Sequence, residues 1–76
     1  MKELVAYIAK ALVDHPEDVK TAQTEEDENV TVELTVAQDD LGKVIGKQGR
    51  TARAIRSILA AAAGKENKRS RLDILE

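Results

Sequence analysis

The sequence predicts an α+β two-layer sandwich: a three-stranded sheet with three helices on one face, in the order α-β-β-α-α-β. Three observations lead there. Residues 30–36 alternate apolar and polar without a break, as a half-buried strand does. Residues 2–14 and 50–63 repeat their apolar side chains at the spacing of one helix face. Two glycines, Gly46 and Gly49, interrupt a helical pattern that resumes after them.

Taken in order, the first helix spans Lys2 to Asp14, with Leu4, Tyr7, Ile8, Ala11 and Leu12 as its buried stripe. Pro16 stops it, and His15 before the proline is pushed toward extended geometry. Asp18 to Thr24 is a weaker strand, in which Val19 and Thr21 share a face. Glu25-Glu26-Asp27-Glu28-Asn29 is a charged turn whose brevity implies an antiparallel hairpin. In the second strand Val30, Val32, Leu34 and Val36 face the core. Asp39 and Asp40 bring carboxylates to the start of a short helix, Asp40 to Ile45. The third helix runs from Arg50 to Ala63, with Thr51, Ile55, Ile58, Leu59 and Ala62 inward and Gly64 as its C-terminal cap. Leu72 and Ile74 share a face of the last strand, Arg71 to Leu75.

Length and composition narrow the function. A chain of 76 residues makes one domain, 1–76, with a thin core that a dimer or partner would support. Without cysteine there is no disulfide, thiolate zinc site or cysteine nucleophile. No apolar run is long enough for a membrane span. The N-terminal apolar stretch is interrupted by Lys10 and carries Glu3, so it reads as a structural helix of a cytoplasmic protein and not as a signal peptide.

The net charge of −2 hides a segregation. Leu41 to Lys65 holds six basic residues (Lys43, Lys47, Arg50, Arg53, Arg56, Lys65) and no acid; the remainder has six basic against fourteen acidic, a net of −8. A local positive field of this kind steers an anionic ligand whatever the total charge. The glycine loop lies inside it. Glycine permits sharp turns and close approach of another backbone, and the loop feeds a helix N-terminus, where free N–H groups favour phosphate oxygens. Lys47 and Gln48 should face solvent.

Here Ile45-Gly46-Lys47-Gln48-Gly49-Arg50 resembles the IGxxGx signature of KH domains, and the element order resembles their type II, prokaryotic arrangement. Leu41 to Ile55, on so short a chain, is similar to the small bacterial stand-alone KH proteins of the KhpA family. The resemblance implies an RNA-binding protein, without enzymatic activity or cofactor, that grips about four nucleotides of single-stranded RNA. By position, Gly46, Lys47, Gln48 and Gly49 are the clamp; Leu41, Val44 and Ile45 are groove or core beneath it; Arg50, Lys43 and Arg53 add charge. Residues near Val32 to Val36 are candidates for the opposite wall. The resemblance further implies a role in RNA regulation or as an RNA chaperone, homodimers, and a second, larger KH-containing RNA-binding partner.

Competing functions fit the residues less well. RRM and OB modules stack bases on aromatic side chains, and Tyr7 is the one aromatic here. A P-loop needs four residues between its glycines and Ser or Thr after the Lys; Gly42 and Gly46 are one residue too close, and Gln48 follows Lys47. His15, Asp39 and Asp40 are explained by helix ends, and Glu25 to Glu28 by a solvated turn. Gly42 suggests close packing. Arg53 and Arg56 fit a solvated helix face as well as an RNA contact, the latter more for Arg53. The alternative function is a dimerising adaptor whose glycine loop is structural, with Ala60 to Ala63 admitting another helix.

Overall fold

The computed structural model describes residues 1–75. Its elements are α1 (Lys2–Leu12), β1 (Lys20–Glu26), β2 (Asn29–Thr35), α2 (Leu41–Ile45), α3 (Arg50–Gly64) and β3 (Arg69–Leu75), with single 3-10 turns at Pro16–Asp18, Gln38–Asp40 and Lys47–Gly49. The expected α-β-β-α-α-β order and three-stranded sheet are present.

β2 is the middle strand, antiparallel to β1 and parallel to β3. Its inward residues Val30, Val32 and Leu34, and Val36 just beyond its end, are all buried, as the alternation requires. Each such burial contributes roughly 1.5–3 kcal/mol, so this strand anchors a core made of small aliphatic side chains. Parallel pairing demands a long crossover. The crossover here is α2, the glycine loop and α3, which places the loop beyond the C-terminal ends of β2 and β3. The hairpin turn Asp27-Glu28 lies at the other end, where Arg69 N–H donates to Glu28 O at 2.8 Å. Positive loop and acidic turn therefore lie toward opposite ends of the sheet.

The boundaries of the hairpin differ from the expectation. β1 continues to Glu26, leaving a two-residue turn with Asp27 at φ 56°. Glu25 is not simply a solvated turn residue. It pairs with Lys68 at 3.1 Å, which holds its carboxyl below the usual glutamate range.

The buried face of α1 is rotated from the expected one; that of α3 holds the expected Ile55 and Leu59 but not Ile58. In α1 the buried residues are Val5 and Ala9, with Met1, Ile8 and Val13 packed beside them, while Tyr7, Ala11 and Leu12 are exposed. Apolar side chains surround most of α1, so the spacing alone does not select a side; contact with the sheet does. In α3 the inward residues are Ala52, Ile55, Leu59 and Ala63, and Ile58 is exposed. Ala52 and Ala63 at the two ends of the stripe let the helix lie close to the sheet, while Ile55 and Leu59 fill the core between them. Gly64 is not the cap of α3 either. Asn67 takes the left-handed conformation at φ 58°, Lys68 N–H donates to Ala63 O at 2.9 Å and Asn67 N–H to Gly64 O at 3.1 Å. This is a Schellman closure in which Asn replaces the expected glycine.

Asp40 departs most from its expected role. It precedes α2, but its side chain makes no cap bond to that helix. Instead the buried carboxylate accepts hydrogen bonds from the backbone N–H of Asp14 at 3.1 Å and of His15 at 2.9 Å. The chain leaving α1 has lost its helical partners there, and buried or half-buried amides require acceptors. Burial pushes the Asp40 carboxyl up, but the two amides and Lys43 outweigh it and hold it below the ordinary aspartate range. A folded pKa below the unfolded one adds stability that is complete above the ordinary aspartate pKa and vanishes as pH falls through the folded value. Asp40→Ala is expected to lower the melting temperature at neutral pH by on the order of 10 °C. It should also flatten the acid limb of a melting-temperature profile between neutral pH and strong acid. An unchanged profile would show that Asp40 does not join α1 to α2.

Candidate nucleic-acid interface

Three of the four loop residues hold unusual backbone conformations. α2 ends when Gly46 N–H donates to Gly42 O at 2.8 Å and Gly46 turns to φ 76°, ψ 171°. Gln48 follows at φ 57°, ψ 26° and Gly49 at φ 73°, ψ 14°, after which α3 begins. Only glycine enters these regions freely; for other L-residues the left-handed region costs roughly 1–2 kcal/mol. Gly46 is constrained twice over. A Cβ on it would collide with the Thr51 side chain and stand 2.8 Å from the Thr51 backbone N. Gly49 has open space around it, so its requirement is conformational alone.

This geometry leaves two donors free. Gly49 N–H is taken by Gly46 O at 3.1 Å, and Arg50 N–H by Lys47 O. The N–H groups of Lys47 and Gln48 find no acceptor among the described residues, and both residues are exposed. The Lys47 ammonium has no carboxylate within pairing distance among those residues. Arg50 donates to Gln48 Oε1 at 3.2 Å and Arg53 to Gln48 O at 2.9 Å. The result is a solvated loop with two bare amides and three cations around it, an arrangement chemically suited to anionic oxygens.

The remaining expected site residues divide. Ile45 is half-buried at the base of the loop, and Leu41 likewise packs against the core. Val44 is fully buried and belongs to the core, so it supports the loop from below and is out of reach of any ligand. Lys43 lies in the acid-free segment, yet the fold brings two acids to it. Its ammonium pairs with Asp14 and, at 3.4 Å, with Asp40, and these hold it above the ordinary lysine range. A charge so paired presents less field than the sequence suggests. Gly42 also departs from expectation: a Cβ there meets nothing within 4 Å, so no packing in this chain requires a glycine.

Val32, Leu34 and Val36 are buried under the helices and cannot form an opposite wall. The cleft beside α3 is walled by β3. It has a volume of about 470 Å³ and is lined by Arg56, Leu59 and Ala60 on the helix and by Ser70 to Asp73 on the strand. Arg53, Arg56 and Ala60 fall at helical spacing on one side of α3 and so connect loop to cleft. Sequence reasoning missed Ser70 to Asp73, because their nearness to α3 arises only from the parallel pairing of β3 with β2. Among the described residues no cluster of His, Cys, Asp and Glu is arranged to hold a metal, and no helix is long and apolar enough to cross a membrane.

A glycine loop joining two helices that cross over a mixed three-stranded sheet is the construction of a type II KH domain. Comparison with known proteins agrees: the model of the family described as "KhpA/KhpB, KH domain" matches residues 2–74, and the chain belongs to that family. The RNA-binding protein KhpA of Halalkalibacterium halodurans is 55% identical over 76 residues, covering all of both chains. The protein of the same name from Clostridium perfringens is 55% identical over 75 residues, 99% of this chain and 100% of its own. That of Listeria monocytogenes is 50% identical over the full length of both. No solved structure matches the chain.

The three glycines of this region should respond differently to alanine. Gly46→Ala, facing both strain and collision, is expected to cost about 2–4 kcal/mol in urea denaturation. Gly49→Ala should cost about 1–2 kcal/mol, and Gly42→Ala should be neutral or stabilising by up to about 1 kcal/mol. Equal losses at Gly46 and Gly42 would contradict this loop geometry.

Proposed function

We propose that this chain is an RNA-binding module that grips about four nucleotides of single-stranded RNA, with phosphates on the loop Gly46-Lys47-Gln48-Gly49 and bases along the α3–β3 cleft. The observation that carries this reading is the pair of unpaired, exposed amides at Lys47 and Gln48 beneath the cations of Lys47, Arg50 and Arg53. The names of the relatives support it, since each is called an RNA-binding protein. Ile45 closes the base of the grip, and Lys43 contributes less because Asp14 and Asp40 already engage it. The module is not an enzyme; it acts on RNA by binding, in regulation or as a chaperone, in the bacterial cytoplasm.

Association with a second copy fits α3, where Ile58 is exposed one turn before the small, exposed side chain of Ala61, while Ala60 faces the cleft. Ala63 is buried against the sheet and takes no part in such a contact. The family name, which joins KhpA with KhpB, suggests a second KH protein as another partner. Either would raise the affinity of a short site by effective concentration. A salt-independent dimer without RNA affinity would instead favour the adaptor role.

Phosphate contacts by Lys47 and Arg50 on a single strand give log Kobs a slope of roughly −1.4 against log salt. Replacing Lys47 and Gln48 together by Asp should leave the melting temperature unchanged and weaken binding to single-stranded RNA by at least about tenfold. Fluorescence anisotropy across a salt series measures both the slope and the loss. Binding as tight as that of the unmodified protein would remove the loop from the interface.

A further inference from the structure

One contact of the loop is unexplained by phosphate recognition. Gln48 holds a left-handed backbone, φ 57°, ψ 26°, without being glycine. The peptide unit after it is fixed at both ends: its carbonyl accepts from Arg53 Nη2 at 2.9 Å, and the Gly49 N–H donates to Gly46 O at 3.1 Å. Arg53 sits on the first turn of α3, and helical side chains lean toward the N-terminus. Its guanidinium is thereby carried back over the loop. Among the described residues it has no carboxylate partner, and the Gln48 carbonyl is its one acceptor. Arg50 steadies the same residue through Gln48 Oε1 at 3.2 Å.

We propose that Arg53 is a positioning residue: by bonding the Gln48 carbonyl it holds the left-handed turn and so keeps the Lys47 and Gln48 amides in their outward geometry. The proposal rests on the reading of the loop as an RNA clamp. It assigns Arg53 a task it performs before RNA arrives, distinct from a direct phosphate contact. The two tasks leave different traces. A phosphate contact contributes to counterion release and hence to the salt slope, whereas a strap inside the protein changes affinity through the population of the competent loop and leaves the slope alone.

The test uses the full chain with Arg53→Ala, and Gln48→Gly in both backgrounds. Arg53 is exposed, so its replacement should preserve the fold, which a melting curve checks. Without RNA, amide hydrogen exchange at Gly49 should accelerate about tenfold in Arg53→Ala, because its peptide unit loses one of two anchors. With a fluorescein-labelled single-stranded RNA of random sequence, affinity should fall about three- to tenfold with an unchanged salt slope. In the Gln48→Gly background, where glycine needs no help to stay left-handed, the same substitution should cost less than about half as much binding free energy, a measurable coupling. Unaltered Gly49 exchange, a slope shallower by about 0.7, or fully additive losses would each overturn the proposal. Since the exchange measurement involves no RNA, failure of the clamp reading itself would show separately, as absence of RNA binding by the unmodified protein.

Discussion

The reversal between α2 and α3 governs this molecule. β2 and β3 are parallel, so the chain must travel back along the sheet between them. It does so through two helices whose junction is compressed into four residues, three of them at positive φ. Thr51 closes against Gly46 so tightly that no side chain fits there. A junction this short uses its own carbonyls at Gly46 and Lys47 to hold Gly49 and Arg50, and has none left for the amides between. The donors that a phosphate would meet are thus a by-product of the turn.

The rest of the fold keeps that junction in place. Val44 fixes α2 to the core, and Ala52, Ile55, Leu59 and Ala63 fix α3 to the sheet. Asp40 ties the exit of α1 to the start of α2 through two backbone amides, which stiffens the approach to the loop from the far side. The same carboxylate, with Asp14, draws Lys43 inward. Positive charge then concentrates on Lys47, Arg50, Arg53 and Arg56, from the loop down one side of α3. The acidic hairpin turn stands at the other end of the sheet, so the field steers an anionic strand to the loop and away from the hairpin.

Much of this is legible in the sequence, and the exceptions have physical causes. β2 is readable because one face is buried and the other is not, which gives a period of two. The loop is readable as a turn because two glycines interrupt a helical pattern within a segment that carries basic residues and no acid. The face of α1 is not: when alanine and larger aliphatics occur nearly all round, spacing leaves several sides equivalent, and the close seat on the sheet selects Val5 and Ala9; in α3 spacing finds Ile55 and Leu59 but not the small Ala52 and Ala63 beside them. Asp40 has the sequence position of a cap because caps are local, whereas its real partners lie 25 and 26 residues away. The pairing of Lys43 and the wall formed by Ser70 to Asp73 are likewise products of tertiary contact. Asn67 takes the place expected of Gly64 because a left-handed closure accepts Asn as well as Gly.

The central claim is that Lys47 and Gln48 present unpaired amides to a sugar-phosphate chain. It is tested most directly by following backbone amide resonances while single-stranded RNA is added. The largest shifts are expected on Lys47 and Gln48, with smaller ones along Arg53, Arg56 and Ser70 to Asp73, and none at Asp27 and Glu28. Shifts centred elsewhere, with those two amides unmoved at saturation, would contradict it.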